Sequence, residues 1–432
     1  MRKNAWVLIL AGVLMLALDS GAQGRGLETG FFDPLFAEAP KPARRYMDQA
    51  RAVDASTIRL QVNWSVVAVT RPDRPRDPDD RAYSWDALDA SIADARARGL
   101  DVLLSFTGLP GWAQRRKAPR AEAPTFRPDP QDVGAFATVL ARRYARQVDY
   151  IQVWNEPNLS TYLTPQWERR SGKFRPVAPA LFRAMLNASY PGVHAAGAKL
   201  VVAGTAPFGD IDPGGLRIAP VTFWKQVLKR KTRFDVFSHH PYSVRGPRAS
   251  AFSKKDVAVP DVHRLVDIVA RAVRSGKALP RQRKPTWVTE VSWDSGPPDP
   301  NGVPVKRHAR WLAQTMHELW KQGVARVLWF RVRDQKPEPS FAETNQSGVY
   351  FLNGKAKPAK RAFAFPFDCE RRGSGTRVWL RAPSSRPVTI VAKGRRVALV
   401  RPGGDRVASI TVAGTGIFQA VSGRTRSIAC RT

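Results

Sequence analysis

Across residues 27–365, short apolar runs alternate with amphipathic helical segments, and this alternation constrains the fold more than any other feature of the chain. Strand-like runs fall at residues 27–33, 57–63, 101–107, 150–153, 199–204, 234–242 (with its exit turn), 285–293 and 325–330. The run Asp101-Val102-Leu103-Leu104-Ser105-Phe106-Thr107 is almost continuously apolar, as a parallel strand buried on both faces must be. Helical periodicity fills the intervals, for example residues 85–98, where Ser84 is placed to cap and Gly99 to terminate. Eight such strand–helix repeats predict a (β/α)8 TIM barrel over residues 27–365.

From residue 366 the texture changes. Strands at short, regular spacing (377–380, 388–391, 396–400, 408–412 and 417–421) are separated by Gly and Pro turns. They predict a small C-terminal antiparallel β-sandwich over residues 366–432, more a brace for the barrel than a separate binder, because almost no linker precedes it. The chain's two cysteines, Cys369 and Cys430, bracket this module. In an exported protein they most simply pair, closing a loop worth about 4 kcal/mol on the chain-entropy model; two free thiols are the alternative.

Function enters at the ends of two strands. Tyr150-Ile151-Gln152-Val153-Trp154-Asn155-Glu156-Pro157-Asn158 stops an apolar run with a turn and leaves a carboxylate where a parallel barrel builds its active site. Pro285-Thr286-Trp287-Val288-Thr289-Glu290-Val291-Ser292-Trp293 repeats the design at the seventh strand. Strands 4 and 7 lie nearly opposite each other around the ring. A ring radius of roughly 7 Å gives a chord of about 13 Å, and side chains reaching roughly 4 Å inward bring the carboxylates to about 5 Å. Retaining glycosidases hold their two carboxyl groups at that spacing.

The Trp-Asn-Glu-Pro motif with a distant Thr-Glu strand end resembles the glycoside hydrolases of clan A, families 5 and 39 in particular. The resemblance implies that Glu156 is the acid/base and Glu290 the nucleophile of a retaining O-glycosyl hydrolase. It further implies that Asn155 bonds the sugar 2-hydroxyl and that Arg59 keeps the nucleophile ionised. His240 and Tyr242, after strand 6, would contact nucleophile or sugar, and Trp329 on strand 8 would be an aromatic platform under the substrate ring. His239 is expected inside the barrel with His240 at its rim. The roles of Asp294 and Asp334 stay open.

Targeting and charge complete the picture. Arg2 and Lys3, an apolar stretch at residues 6–18 and Ser20-Gly21-Ala22 read as a signal peptide (residues 1–22), too short in its core to span a bilayer comfortably. The mature protein is therefore expected to be secreted, extracellular or cell-wall associated, without a transmembrane span. A net charge of +34 predicts electrostatic association with anionic cell-wall polymers or acidic glycans. The basic residues form no nucleic-acid-binding motif, so no specific nucleic acid is expected. No G-x-G-x-x-G unit, P-loop or G-x-S-x-G elbow is present, the histidines lack metal spacing, and no cofactor or metal is expected. The alternative function is a catalytically silent glycan- or cell-wall-binding barrel.

Overall fold

A computed structural model describes residues 26–37, 40–115, 124–341 and 343–432. The expected signal peptide lies outside the described residues.

The barrel strands are β1 (Glu28–Phe32), β2 (Thr57–Asn63), β3 (Asp101–Thr107), β4 (Tyr150–Val153), β5 (Lys199–Val202), β6 (Phe237–His239), β7 (Thr286–Val291) and β8 (Val324–Phe330). They form one parallel sheet in the order β5-β4-β3-β2-β1-β8-β7-β6. Val202 N to Val236 O (3.1 Å) and Val236 N to Leu200 O (3.2 Å) join β5 to the segment entering β6 and close the ring. Helices cover the outside: α1 (Pro40–Arg51), α2 (Asp86–Ala97), α3 (Pro130–Arg143), α4 (Ala178–Ala195), α5 (Pro220–Val227), α6 (His263–Arg274), α7 (Val305–Lys321) and α8 (Pro358–Ala364). The architecture is the expected (β/α)8 TIM barrel. One local expectation fails: α2 starts at Asp86 without a side-chain cap, and Ser84 instead donates its backbone N–H to Val67 O.

Within the lumen the period of two along each strand sorts side chains into layers. The lower layer is apolar, with Leu103, Val201, Val236, Trp287 and Leu328 packed together. Two residues beyond Leu103, Val236 and Trp287 stand Ser105, Ser238 and Thr289, which with Gln152 and Arg59 are all fully buried. The barrel thus changes from a dry plug to a hydrogen-bonded polar floor on which the site sits.

After α8 the chain forms β9 (Phe367–Arg372), β10 (Gly375–Arg381), β11 (Val388–Ala392), β12 (Arg395–Val400), β13 (Val407–Ala413) and β14 (Ile417–Ser422). Two antiparallel sheets, β9-β10-β13 and β12-β11-β14, enclose Phe367, Val378, Leu380, Ile390, Val412 and Phe418. This is the expected β-sandwich. Cys369 on β9 and Cys430, paired with β14, are disulfide-bonded and tie the sheets together.

The sandwich is clamped to the barrel. Trp379 on β10 belongs to the barrel's own apolar core and stacks on His317 of α7 at 5.1 Å. Asp368 accepts from His317 Nδ1 (2.7 Å) and from Arg248 Nη2 (2.6 Å). A buried tryptophan shared between two units makes them one cooperative body. Trp379→Ala should cost about 3–5 kcal/mol and leave a single urea transition by fluorescence and circular dichroism. A sandwich that melts alone, with the barrel's midpoint unmoved, would refute the bracing.

Candidate active site

Glu290 lies within β7, where the register against β8 shifts between Val288 and Val291. Successive residues of a regular strand face opposite ways; an irregularity of this kind re-aims one of them. Here it lets Glu290 reach the same lumen as its neighbour Thr289. Glu156 arrives differently. It follows β4 in a turn where Trp154 (φ 74°) and Glu156 itself (φ 34°) occupy left-handed backbone. Side chains this large rarely adopt that region, and such strain gathers at functional sites. The turn is held by Glu156 N to Gly204 O (3.1 Å) and by Asn158, whose Nδ2 bonds the carbonyls of Ala206 and Ile218.

The two carboxyl groups face each other, with one oxygen of each and a ring nitrogen of His240 all lying within 4.8 Å of one another. Arg59 Nη1 donates to Glu290 Oε1 at 2.6 Å and Tyr242 OH to Glu290 Oε2 at 3.2 Å. The remaining Arg59 donors reach Ser105 Oγ (3.1 Å), Gln61 Oε1 (3.0 Å) and Asn155 Oδ1 (2.9 Å). His240 spans the pair: Nδ1 is 2.9 Å from Glu156 Oε1, and Nε2 is 2.9 Å from Thr289 Oγ1 and 3.6 Å from Glu290 Oε1. Four of the residues singled out in the sequence, Arg59, Asn155, His240 and Tyr242, therefore meet around Glu290 and Glu156.

The electrostatics separate the two acids. Burial raises the Glu156 pKa to about 7, against a smaller lowering by Arg59. Glu290 has the Arg59 guanidinium in direct contact, and Glu156 does not. Burial lowers His240 to about 4, opposed by Glu290, so its imidazole is neutral at pH 7. Burial, then the Glu290 and Glu156 charges, push Tyr242 well above the usual phenol range, which keeps it a donor.

Other placements differ from expectation. His240 is fully buried against both acids and does not stand at the rim, whereas His239 is packed inside the barrel as expected, bonding Thr205 Oγ1 and Val257 O. Trp329 presents no accessible face: it is fully buried, donates its indole N–H to Ser347 O (2.8 Å) and packs beside Trp293 and His308. It is a wall of the core here, not an open platform. Asp294 accepts from Gln346 N (2.7 Å), and Asp334 pairs with buried Lys357 (2.6 Å), so both pin the loops after β7 and β8.

Three site residues had not been singled out. Tyr162, in the loop after β4, hydrogen-bonds Asn155 and feels both carboxylates. Thr289 was visible only as the neighbour of Glu290. Gly204 matters by what it lacks, since a Cβ there would lie 2.2 Å from the His240 ring. Two groups, Glu156–His240–Glu290 and His317–Asp368–Glu370, bring three donors together as a metal site would. Each already faces a resident side-chain cation: Arg59 in the first, Arg248 and Lys321 in the second.

No protein-family model and no curated protein matches the sequence. Solved structures do match in fold. One is a family 39 glycoside hydrolase from the gut symbiont Bacteroides cellulosilyticus WH2, with 18% identity, 90% of this chain and 81% of that chain covered, and a TM-score of 0.57. A GH5_18 enzyme from Streptomyces cattleya, in complex with GlcNAc, shows 19% identity, 79% coverage of each chain and a TM-score of 0.53. A GH39 enzyme from Xanthomonas axonopodis pv. citri shows 14% identity, 94% and 92% coverage and a TM-score of 0.52. The fold is that of the clan A glycoside hydrolases. The likeness to the Xanthomonas axonopodis structure reaches into the sandwich as well as the barrel, since 94% of the chain is covered.

The raised Glu156 pKa has a consequence for stability. A carboxyl near 7 in the fold and near 4.5 when free favours folding in its protonated form. That contribution is complete below about pH 4.5 and lost as pH rises through about 7, leaving a buried charge that costs up to ~3 kcal/mol. Glu156→Gln should therefore raise the melting temperature at pH 8, with the gain shrinking toward pH 5. An equal effect at both pH values would contradict the assignment.

Proposed function

We propose that the protein is a secreted retaining O-glycosyl hydrolase, with Glu290 as nucleophile and Glu156 as acid/base. The observation that carries this reading is the facing carboxylate pair with unequal surroundings, one in contact with a guanidinium and one raised to about pH 7. A Glu290 oxygen attacks the anomeric carbon while the glycosidic bond breaks and Glu156 passes its proton to the leaving oxygen. Glu156, now a carboxylate, then takes a proton from water, and the resulting oxygen displaces Glu290. Two inversions give net retention. Asn155, fixed by Arg59, and Tyr242 are set to bond sugar hydroxyls beside the reacting carbon.

His240 and Thr289 suit Glu156 in both halves of the reaction without a charge on the buried ring. His240 Nδ1–H donates to Glu156 Oε1 (2.9 Å), which leaves Oε2 to carry the proton toward the leaving oxygen and to take it back from water. Nε2 accepts from the Thr289 hydroxyl (2.9 Å), which holds the imidazole in that one neutral tautomer throughout. Export is supported by the leader-like N-terminus and the disulfide, and no helix among the described residues is long and apolar enough to cross a membrane. The surplus of positive charge favours acidic or cell-wall glycans as the polymers it works among.

On a panel of aryl glycosides, Glu290→Gln should lower kcat more than about 10³-fold. Glu156→Gln should lose about 10²–10⁴-fold with poor leaving groups and far less with dinitrophenol, which departs without a proton. The wild-type kcat/KM should fall as pH rises through about 7, where the acid is lost. Thr289→Val should move that limb. A Glu290→Gln variant that hydrolyses the panel like wild type would leave the binding-barrel alternative standing.

A further inference from the structure

We propose that the β-hairpin rising from the loop after β4 is a cationic subsite that grips the acidic sugars of a carboxylate-bearing polysaccharide on the leaving-group side of the cleavage point. The proposal rests on the glycosidase reading for that orientation, because a general acid must sit against the leaving oxygen and the aglycone therefore lies on the Glu156 side.

The hairpin pairs Trp167–Arg170 with Lys173–Pro176 in the register Trp167↔Pro176, Glu168↔Arg175, Arg169↔Phe174 and Arg170↔Lys173. Its base is tied to the catalytic turn: Gln166 Nε2 donates to the carbonyls of Pro157 (3.0 Å) and Leu163 (2.7 Å), and Pro157 directly follows Glu156. The strand pair is therefore a fixed lip, not a stray loop. Its one acid, Glu168, is already taken, by Arg127 on one oxygen and Arg170 (2.7 Å) on the other. That leaves Arg169, Lys173 and Arg175, all exposed, with no carboxylate within 4.0 Å among the described residues.

Lys173 and Arg175, two residues apart on one strand, share a face about 7 Å apart, near the repeat of carboxylates along a uronate chain, one per sugar of about 5 Å, while Arg169 stands on the other face with Phe174. The hairpin also carries an apolar face. Phe174, directly opposite Arg169, is 46% exposed and lies over Gly214 of the loop after β5, where a Cβ would meet its ring at 2.7 Å. The open ring beside the Arg169 guanidinium offers stacking and charge-assisted hydrogen bonds to the same sugar. A neutral glucan would use only the first.

Affinity electrophoresis of the full chain in gels containing polygalacturonate or a neutral β-glucan tests this, with Glu290→Gln as background so that the polymer is not consumed. At about 0.2 M salt, where exposed long-range charge effects are screened, Arg169→Ser/Lys173→Ser/Arg175→Ser should weaken retention by polygalacturonate at least tenfold and leave retention by the glucan unchanged. Lys393→Ser/Arg395→Ser/Arg396→Ser, an equal loss of charge on the distant sandwich turn, should weaken it less than twofold. Equal losses from the two triple variants would overturn the proposal, retention then being a property of bulk charge. Because the assay needs no turnover, it is decided separately from whether the barrel hydrolyses anything.

Discussion

Arg59 places a full positive charge in the barrel lumen without solvent contact, and the fold has to answer it. A buried guanidinium left unpaired costs several kcal/mol, so its donors must all find acceptors. They find Glu290, Ser105, Gln61 and Asn155, while its face lies 4.4 Å from the Phe32 ring. One cation thereby fixes the orientation of Glu290 and of Asn155, the residue that precedes Glu156. It also supplies the asymmetry on which acid/base chemistry depends, because it touches one carboxylate and only lowers the pKa of the other at a distance.

The rest of the barrel lets that constellation exist. The apolar lower layer excludes water from beneath, which makes each ion pair above it stronger and each orphan more costly. The polar floor passes hydrogen bonds from Gln152 to Ser238 (3.0 Å) and Thr289 (3.3 Å), and so to His240. The irregular register in β7 and the left-handed residues Trp154 and Glu156 are local costs, accepted where a side chain must be aimed and balanced by a large core elsewhere. The Trp379 contact and the Asp368–His317–Arg248 cluster carry that rigidity across to the sandwich.

The barrel was legible in the sequence because periodicity reports burial, and burial is what builds a parallel sheet. Glu156 and Glu290 stood out as carboxylates at the carboxyl ends of strands, and Arg59 through the family resemblance. What stayed hidden depends on the third dimension. Nothing in the run Ser238-His239-His240 says that its last residue bridges two acids, since that follows from the close approach permitted by Gly204. Trp329 was legible as an aromatic on the last strand, but whether its face opens to substrate is set by Trp293, His308 and Ser347, from separate segments. Tyr162 is a loop residue whose meaning comes only from where the loop returns. Strand β9 was missed because Glu370, Arg371 and Arg372 mask a pattern that only its first half obeys.

The central claim is that Glu290 forms a covalent bond to the sugar while Glu156 handles the proton. Incubation with activated 2-deoxy-2-fluoro glycosides, followed by mass spectrometry of the digested protein, reads this directly, since the fluorine slows release of the intermediate. The account predicts a stoichiometric glycosyl adduct on the peptide containing Glu290, absent from Glu290→Gln. An adduct on Glu156, or a first product of inverted configuration formed without any adduct, would contradict it.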